Sequence, residues 1–251
     1  ESLERIVAAK GEIIDGLSSD GVMVLNADDP HVNVWAARAA GKRIVRFSYN
    51  NSGRDSEYFG SDVQEMSDGT SRFKLHTPCG EQALSIRFLG RHNVLNAVAA
   101  AAVAMEAGAN QEELVLGLSS LEPVAGRLSR VPGLNQSKLI DDSYNASPSS
   151  FFAAIDVLSS LEGQKILVMG DMKELGSAEI QMHAHVATLP STLEIDIIHC
   201  IGPLMHHCYQ VLPEAKRGRW APTSKEMAEH VARDLDAGDV VLAKGSLSMG
   251  L

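Results

Sequence analysis

The chain has 251 residues, 45% hydrophobic and 22% charged, with 32 Asp plus Glu against 22 Lys plus Arg for a formal charge of -10. That balance excludes a disordered chain and a coiled coil, suffices for one or two domains with a real core, and has the wrong sign for a non-specific nucleic-acid binder. Three cysteines, Cys79, Cys200 and Cys208, with no C-x-x-C spacing, argue against a disulfide scaffold or a structural zinc site and for a reducing, cytoplasmic setting. The longest apolar run, Ala97 to Met105, is too short for a membrane span and is stopped by Glu106.

Leu3, Ile6, Val7, Ile13 and Ile14 recur at helical spacing, and Lys10 falls on the same stripe. The chain enters this helix without an initiator Met, so it reads as a piece of something longer. Val22 to Leu25 reads as a buried strand, ending in Asn26-Ala27-Asp28-Asp29-Pro30. Pro30 suits the first turn of a helix that runs to about Ala40 and stops at Gly41. Arg43 to Ser48 is a second strand. From Tyr49 to Phe88, short alternating runs such as Phe73/Leu75 and Leu84/Ile86/Phe88 flank a turn at Thr77 to Gly80, which predicts a small antiparallel excursion. An Ala-rich helix over Asn93 to Ala107 follows, then a helix capped by Asn110 and Glu113. Ser119 to Gly126 is the linker candidate.

Beyond it, strands are predicted at Lys138–Ile140, Lys165–Met169, Ile195–Ile201 and Val240–Ala243. Helices are predicted at Ser149–Ser160, Ala178–Leu189, Pro203–Leu212 and Ser224–Leu235. Strict alternation of strand and helix implies a parallel sheet covered on both faces, with ligands at the carboxyl ends of its strands.

Several stretches carry more polar chemistry than their local structure needs. Asn93 and Asn96 share a face of one helical turn, and a carboxamide matches the donor and acceptor edge of an adenine. Asn93 taken alone is equally well explained as a helix N-cap. Asp141-Asp142-Ser143-Tyr144-Asn145 leaves a strand and precedes a helix, where a carboxylate can accept from ribose hydroxyls or merely cap a turn. Gly170 to Gly176 also follows a strand but is not a G-x-G-x-x-G fingerprint. Arg127 follows the linker candidate, where a phosphate-facing role competes with a plain surface charge, and Lys244-Gly245-Ser246 reads equally as a turn. His183/His185 and His206/His207 diverge at their spacings, so they form no metal site, and no G-x-x-x-x-G-K-[ST] loop occurs in the 251 residues.

Four ordered stretches, Ala8 to Ile13, Asn26 to Pro30, Gly90 to Asn96 and Asp141 to Ala146, together resemble the Mur ligases, the ATP-dependent amide ligases of peptidoglycan synthesis. Gly170 to Gly176 resembles the member that adds D-alanyl-D-alanine to UDP-N-acetylmuramoyl-tripeptide. The resemblance implies an α/β chain. Residues 1–122 would be the later part of a central ATPase domain with the antiparallel excursion, and residues 123–251 a Rossmann-like C-terminal domain. It implies that the UDP-substrate domain and the phosphate loop lie outside this chain, and that a last helix is missing after Leu251. It implies ATP and Mg2+ as cofactors, the tripeptide and D-alanyl-D-alanine as partners, a cytoplasmic monomer, and neither nucleic acid nor a membrane span. It places Asn93 and Asn96 at the adenine, Asp142 at the ribose and Arg127, across a hinge, at ATP. Tyr144, Asn145, Asp171 and Ser246 fall at the substrate. Lys10 matches the lysine that the family carbamylates, which would then serve as a catalytic metal ligand. On its apolar stripe an ammonium would be poorly solvated, which favours the neutral amine that captures carbon dioxide; on the residues alone, a lysine that snorkels with its head in water is the preferred alternative.

Two positions depart from the pattern. Ser147 stands where Asn is usual in a Y-N-A-N-P run, and Leu247 where Arg commonly follows Lys-Gly-Ser. Other members of the same class, a folylpolyglutamate-type ligase and a non-catalytic binding module are the competing readings. The D-N-P-R motif of the diamino-acid enzymes has no counterpart, since no Asn-Pro occurs.

Overall fold

The computed structural model describes residues 2–51, 55–66 and 68–251. The start of the chain at Glu1, and the parts of the expected excursion at 52–54 and 67, lie outside the described residues. The chain divides into two compact units, Glu1–Glu122 and Pro123–Leu251.

The first unit opens with helix α1 (Leu3–Gly11) and a short 3-10 turn, Glu12–Gly16. Strand β1 (Val22–Asn26), helix α2 (Val32–Arg38) and strand β2 (Arg43–Ser48) follow. Trp35 Nε1 of α2 donates to Val7 O at 3.0 Å and Arg38 to Ala8 O at 3.2 Å, which ties α2 to α1. The excursion consists of β3 (Tyr58–Glu65), β4 (Ser71–Thr77) and β5 (Gly80–Ile86). The sheet order is β1-β2-β3-β4-β5, parallel up to β3 and antiparallel beyond it. The expected turn joins β4 to β5, with Thr77 Oγ1 donating to Gly80 O at 3.0 Å.

Helix α3 (Arg91–Glu106) packs Val94, Ala97, Val98, Ala101 and Ala102 against Leu75, Leu84, Ile86 and Phe73 of this sheet. That i, i+3, i+4, i+7, i+8 spacing puts one stripe inward, and the alanines let the helix axis approach closely. Helix α4 (Gln111–Ser120) starts with the expected reciprocal cap between Asn110 and Glu113 and runs two residues into the stretch read as a linker.

The second unit holds β6 (Ser129–Pro132), β7 (Lys138–Asp142), α5 (Pro148–Ser159), β8 (Lys165–Gly170) and α6 (Glu179–Val186). It continues with β9 (Ile197–Ile201), α7 (Met205–Val211), β10 (Arg217–Ala221), α8 (Ser224–Val231) and β11 (Val240–Lys244). The sheet order is β10-β9-β8-β11-β7-β6, parallel except for β6 against β7. Alternate strand residues point to opposite faces. One set, including Ile140, Leu167, Met169, Ile198 and Leu242, packs under α5, α6 and α7. The other, including Ile166, Val168, Ile201 and Val241, packs with Met227 and Val231 of α8. The sheet is thus covered on both faces.

β6 and β10 were not expected. Both are edge strands, and their sequences, Ser-Arg-Val-Pro and Arg-Gly-Arg-Trp-Ala, carry the charge, Pro and Gly that edges tolerate and that hide a strand from an apolar pattern. Several expected helices are shorter than their patterns: the segment read over Ala178–Leu189 is helical only through Val186, and that over Ser224–Leu235 only through Val231.

His199 on β9 is 5% exposed, and its Nδ1 accepts from Arg219 N at 3.1 Å. Burial pushes its pKa down to about 4. The unfolded chain therefore takes up a proton that the folded chain refuses. This contribution is intact above the unfolded value near 6.5 and is lost as pH falls towards 4. The steepest loss is about 1.4 kcal/mol per pH unit. Urea unfolding from pH 7 to pH 4.5 should show a shallower decline for His199→Gln, which keeps an acceptor but does not titrate. Equal slopes for the two proteins would contradict the assignment.

Candidate functional site

The ends of three parallel strands lie level in the second unit: Lys244 is in register with Asp142 of β7 on one side and Met169 of β8 on the other. The loops after them leave from one edge, the edge at which open parallel sheets bind ligands.

β7 ends in two acids with different tasks. Asp141 Oδ1 accepts from Ser143 N at 3.1 Å and Ser143 Oγ at 2.6 Å, and its Oδ2 accepts from Gly126 N at 3.1 Å. Asp142 Oδ1 accepts from Leu128 N at 3.2 Å, and its Oδ2 from Lys244 Nζ at 2.7 Å. Both carboxylates therefore fasten residues 126–128 to the strand end. Leu128 has φ 51, a left-handed backbone that an L-residue adopts only when its surroundings hold it there. At Gly126 (φ 76) a Cβ would come within 3.1 Å of Tyr144 N, which donates to Gly126 O at 3.1 Å. Arg127, held between these two anchors, is exposed and lays its guanidinium 4.4 Å over the ring of Tyr144. Asn145 is exposed; its Oδ1 accepts from Ala146 N at 2.8 Å and its carbonyl from Lys244 Nζ at 2.9 Å. Ser147 is the N-cap of α5 in a reciprocal cap with Ser150.

Lys244 is the group that the sequence reading passed over as part of a turn. Its side chain is 2% exposed, bonded to Asp142 and Asn145 and 5.5 Å from the centre of the Phe151 ring. The available signal was a lysine closing the otherwise apolar run Val240 to Ala243.

In the loop after β8, the side chain of Asp171, a residue the resemblance places at the substrate, is wholly buried. Its Oδ1 accepts from Met205 N at 2.8 Å, the first residue of α7, and its Oδ2 lies 3.5 Å from Lys173 Nζ. A Cβ on Gly202 (φ 100) would sit 2.6 Å from this carboxylate, so only glycine admits it. The carboxylate of Asp171 thus ties the loop to the start of α7. Ser246 is likewise committed: 6% exposed, it accepts from Lys173 N at 3.0 Å and donates its own N–H to Asp171 O at 3.1 Å. His183, set aside with the other histidines, anchors the same loop. It is fully buried, with Nε2 accepting from Met172 N at 2.9 Å. The proton therefore resides on Nδ1, which donates to Glu179 O at 2.6 Å. Burial lowers its pKa and keeps the ring neutral.

In the first unit, α3 begins earlier than expected because Gly90, not Asn93, is its N-cap. The capping explanation of Asn93 is thus removed; its Nδ2 donates to Leu89 O at 2.8 Å. Asn96, one turn on, is exposed and its carboxamide has no partner among the described residues. Arg91 lies 4.3 Å over the Tyr49 ring. The Asn26 to Pro30 stretch is a framework of turns: Asn26 Oδ1 accepts from Asp28 N at 2.9 Å, Asp29 Oδ1 from His31 N at 2.7 Å, and Asp28 Oδ2 from Tyr49 N at 2.6 Å.

The desolvation expected at Lys10 is not found. Lys10 is exposed, as are Leu3, Ile6 and Ile13, and only Val7 and Ile14 of the stripe are buried. The stripe turns most of its apolar side chains outward, so it provides no low-dielectric surroundings for the amine. Among the described residues no three His, Cys, Asp or Glu side chains stand where they could hold a metal ion. No helix among them is long and apolar enough to cross a membrane.

Two family models match the chain: the Mur ligase middle domain over residues 1–104, and the Mur ligase, glutamate ligase domain over residues 126–247. The UDP-N-acetylmuramoyl-tripeptide--D-alanyl-D-alanine ligase of Haemophilus influenzae is 35% identical over 254 aligned positions, which cover 99% of this chain and 53% of the relative. The crystal structure of MurF from Acinetobacter baumannii superposes with a TM-score of 0.84 at 29% identity, covering 97% of this chain and 52% of that one. MurF ligase from Thermotoga maritima in complex with ADP gives a TM-score of 0.84 at 23% identity, covering 99% and 55%. The chain thus spans about half the length of the curated relative it matches.

The anchoring role of His183 is testable without any ligand. His183→Phe leaves Met172 N buried without an acceptor, which should cost about 1–3 kcal/mol. Amide hydrogen exchange should accelerate at Met172 and Lys173 first. Unchanged protection there, in a folded variant, would show that the loop is held elsewhere.

Proposed function

The chain belongs to the Mur ligase family, and from that premise we propose that it forms part of an ATP-dependent amide ligase joining D-alanyl-D-alanine to UDP-N-acetylmuramoyl-tripeptide. The observation that carries this reading is the edge of the second unit, where Asp142, Arg127 and Tyr144 are held in one arrangement by the ends of β7 and β11. The substrates are those of the related UDP-N-acetylmuramoyl-tripeptide--D-alanyl-D-alanine ligase of Haemophilus influenzae. Residues 1–122 correspond in this reading to the later part of a central ATP-binding domain, and 123–251 to the C-terminal domain. The protein would act in the cytoplasm as a monomer.

The reaction begins when an oxygen of the tripeptide's terminal carboxylate attacks the γ-phosphorus of ATP and ADP leaves. The amine of D-alanyl-D-alanine then attacks the acyl carbon of the resulting acyl phosphate, phosphate departs and the amine sheds a proton. In the first unit Asn93 and Asn96 meet the adenine edge, Asn96 with an unengaged carboxamide. In the second, Asp142 accepts from the ribose, and Arg127 leaves the face of Tyr144 to meet phosphate oxygens. Tyr144 and Asn145, both exposed in the same loop, meet the substrate in this reading. Asp171 and Ser246 act through the backbone they hold. Mg2+ would offset phosphate charge, but no group of three His, Cys, Asp or Glu that could hold it stands among the described residues.

Two expectations concern a protein that carries these residues together with a phosphate-binding loop. Asn96→Ala should weaken ATP about tenfold, the size of one lost hydrogen bond, and leave the UDP substrate's affinity unchanged. Isothermal calorimetry with each ligand separates the two. An effect confined to D-alanyl-D-alanine would displace Asn96 from the adenine.

Lys10 should be carbamylated there, on the strength of the family match alone, since its exposed side chain lacks the desolvation that would favour the neutral amine. Lys10→Ala should abolish ligation, measured as phosphate release, and short-chain carboxylic acids should partly restore it. A fully active Lys10→Ala protein would rule the carbamate out.

A further inference from the structure

Lys244 is an ammonium with almost no contact with water, at the end of the central strand of the second sheet. A buried ion pair contributes little to stability beyond what an apolar pair of the same shape would, because desolvation offsets the attraction. Packing therefore does not account for a lysine here, in a strand whose other residues are Val, Val, Leu and Ala. What the ammonium does is geometric. Its Nζ donates to Asp142 Oδ2 at 2.7 Å and to Asn145 O at 2.9 Å, so one group spans the start and the middle of the loop that leaves β7. The parallel register sets Lys244 beside Asp142, on the strand next to it.

Asp142 is consequently oriented from two sides, by Lys244 on Oδ2 and by Leu128 N on Oδ1. A carboxylate offers about four lone-pair sites, so two bonds leave acceptor capacity, and the 15% of the side chain that is exposed marks the open edge.

We propose that Lys244 is a positioning residue for sugar recognition: it turns the open edge of Asp142 towards the two hydroxyls of a ribose and fixes Asn145 at the same time. The inference rests on the reading of Asp142 as a ribose acceptor given above. Without Lys244 the carboxylate loses its anchor on Oδ2, rotates, and no longer distinguishes a ribose from a sugar without hydroxyls.

The test uses the 251-residue chain with ADP and 2′,3′-dideoxyADP as probes, titrated by ligand-observed NMR in the millimolar range. The unaltered chain should favour ADP about tenfold, the discrimination expected of a hydrogen bond to a charged acceptor. Asp142→Asn should reduce that preference, and Lys244→Met should reduce it to the same extent, with the double variant no worse than either. Affinity for 2′,3′-dideoxyADP should stay constant throughout, which a general loosening of the fold would not allow. If Asp142→Asn removes the preference and a folded Lys244→Met keeps it, the positioning role is overturned and the ribose reading stands. If the unaltered chain shows no preference, the ribose reading falls and this inference with it. Should Lys244→Met not fold, the unaltered chain still decides. The shielded ammonium of Lys244 should give a resolved nitrogen signal that shifts on saturation with ADP and not with 2′,3′-dideoxyADP, and a signal indifferent to both overturns the proposal.

Discussion

An ammonium removed from water must be met by oxygens on the side it faces, and this requirement at Lys244 shapes the edge of the second unit. The lysine reaches Asp142 and Asn145 O; Asp142 in turn reaches Leu128 N, and its neighbour Asp141 reaches Gly126 N and Ser143. Each carboxylate belongs to a strand end and, Lys244 of β11 apart, each donor to a loop, so the loops inherit the rigidity of the sheet. The left-handed backbone at Leu128 persists because these bonds over-determine it. Arg127 is the consequence: its backbone is fixed on both flanks while its side chain stays outside on Tyr144. A group held this way loses little further freedom when it meets a ligand, which is how preorganisation raises affinity.

The second loop follows the same rule with different donors. Asp171, Ser246 and His183 bond the backbone of Met205, Lys173 and Met172, and all three are buried. None has a free polar edge to offer. The neutral His183 suits this task, since Nε2 must remain an acceptor, and burial secures that state. Its service ends where protonation begins, so the loop shares the acid sensitivity of the surrounding sheet.

Where burial and periodicity coincide, the fold was legible from residues alone. The apolar runs that became β7, β8 and β11 and the alanine stripe of α3 sit where their patterns put them. The strands at the sheet's two edges were not legible, because an edge pairs on one side only and tolerates Arg, Gly and Pro. At the candidate site, polarity at strand ends identified the right stretches, but role within them was not readable. Asp141 and Asp142 are chemically identical and adjacent; the pleat alone sends one to Ser143 and the other to Lys244. Lys10 shows the opposite failure: helical spacing predicted a buried stripe, and the helix turned out to bury only Val7 and Gly11.

Burial therefore separates two kinds of polar residue that a motif runs together. Those with every polar atom engaged inside the protein, such as Asp171, Ser246 and His183, set the geometry of the loops. Those with an exposed, unengaged or weakly held polar group, such as Asn96 and Arg127, remain available to a ligand. Asp142 belongs to both kinds, anchored through two bonds yet open on one edge, and this dual position follows from its register beside Lys244. A substitution in the first kind should change how well the site is formed, and one in the second what it recognises. At Asp142 the two effects are inseparable by a single change, because a carboxylate that loses its anchor also loses its direction.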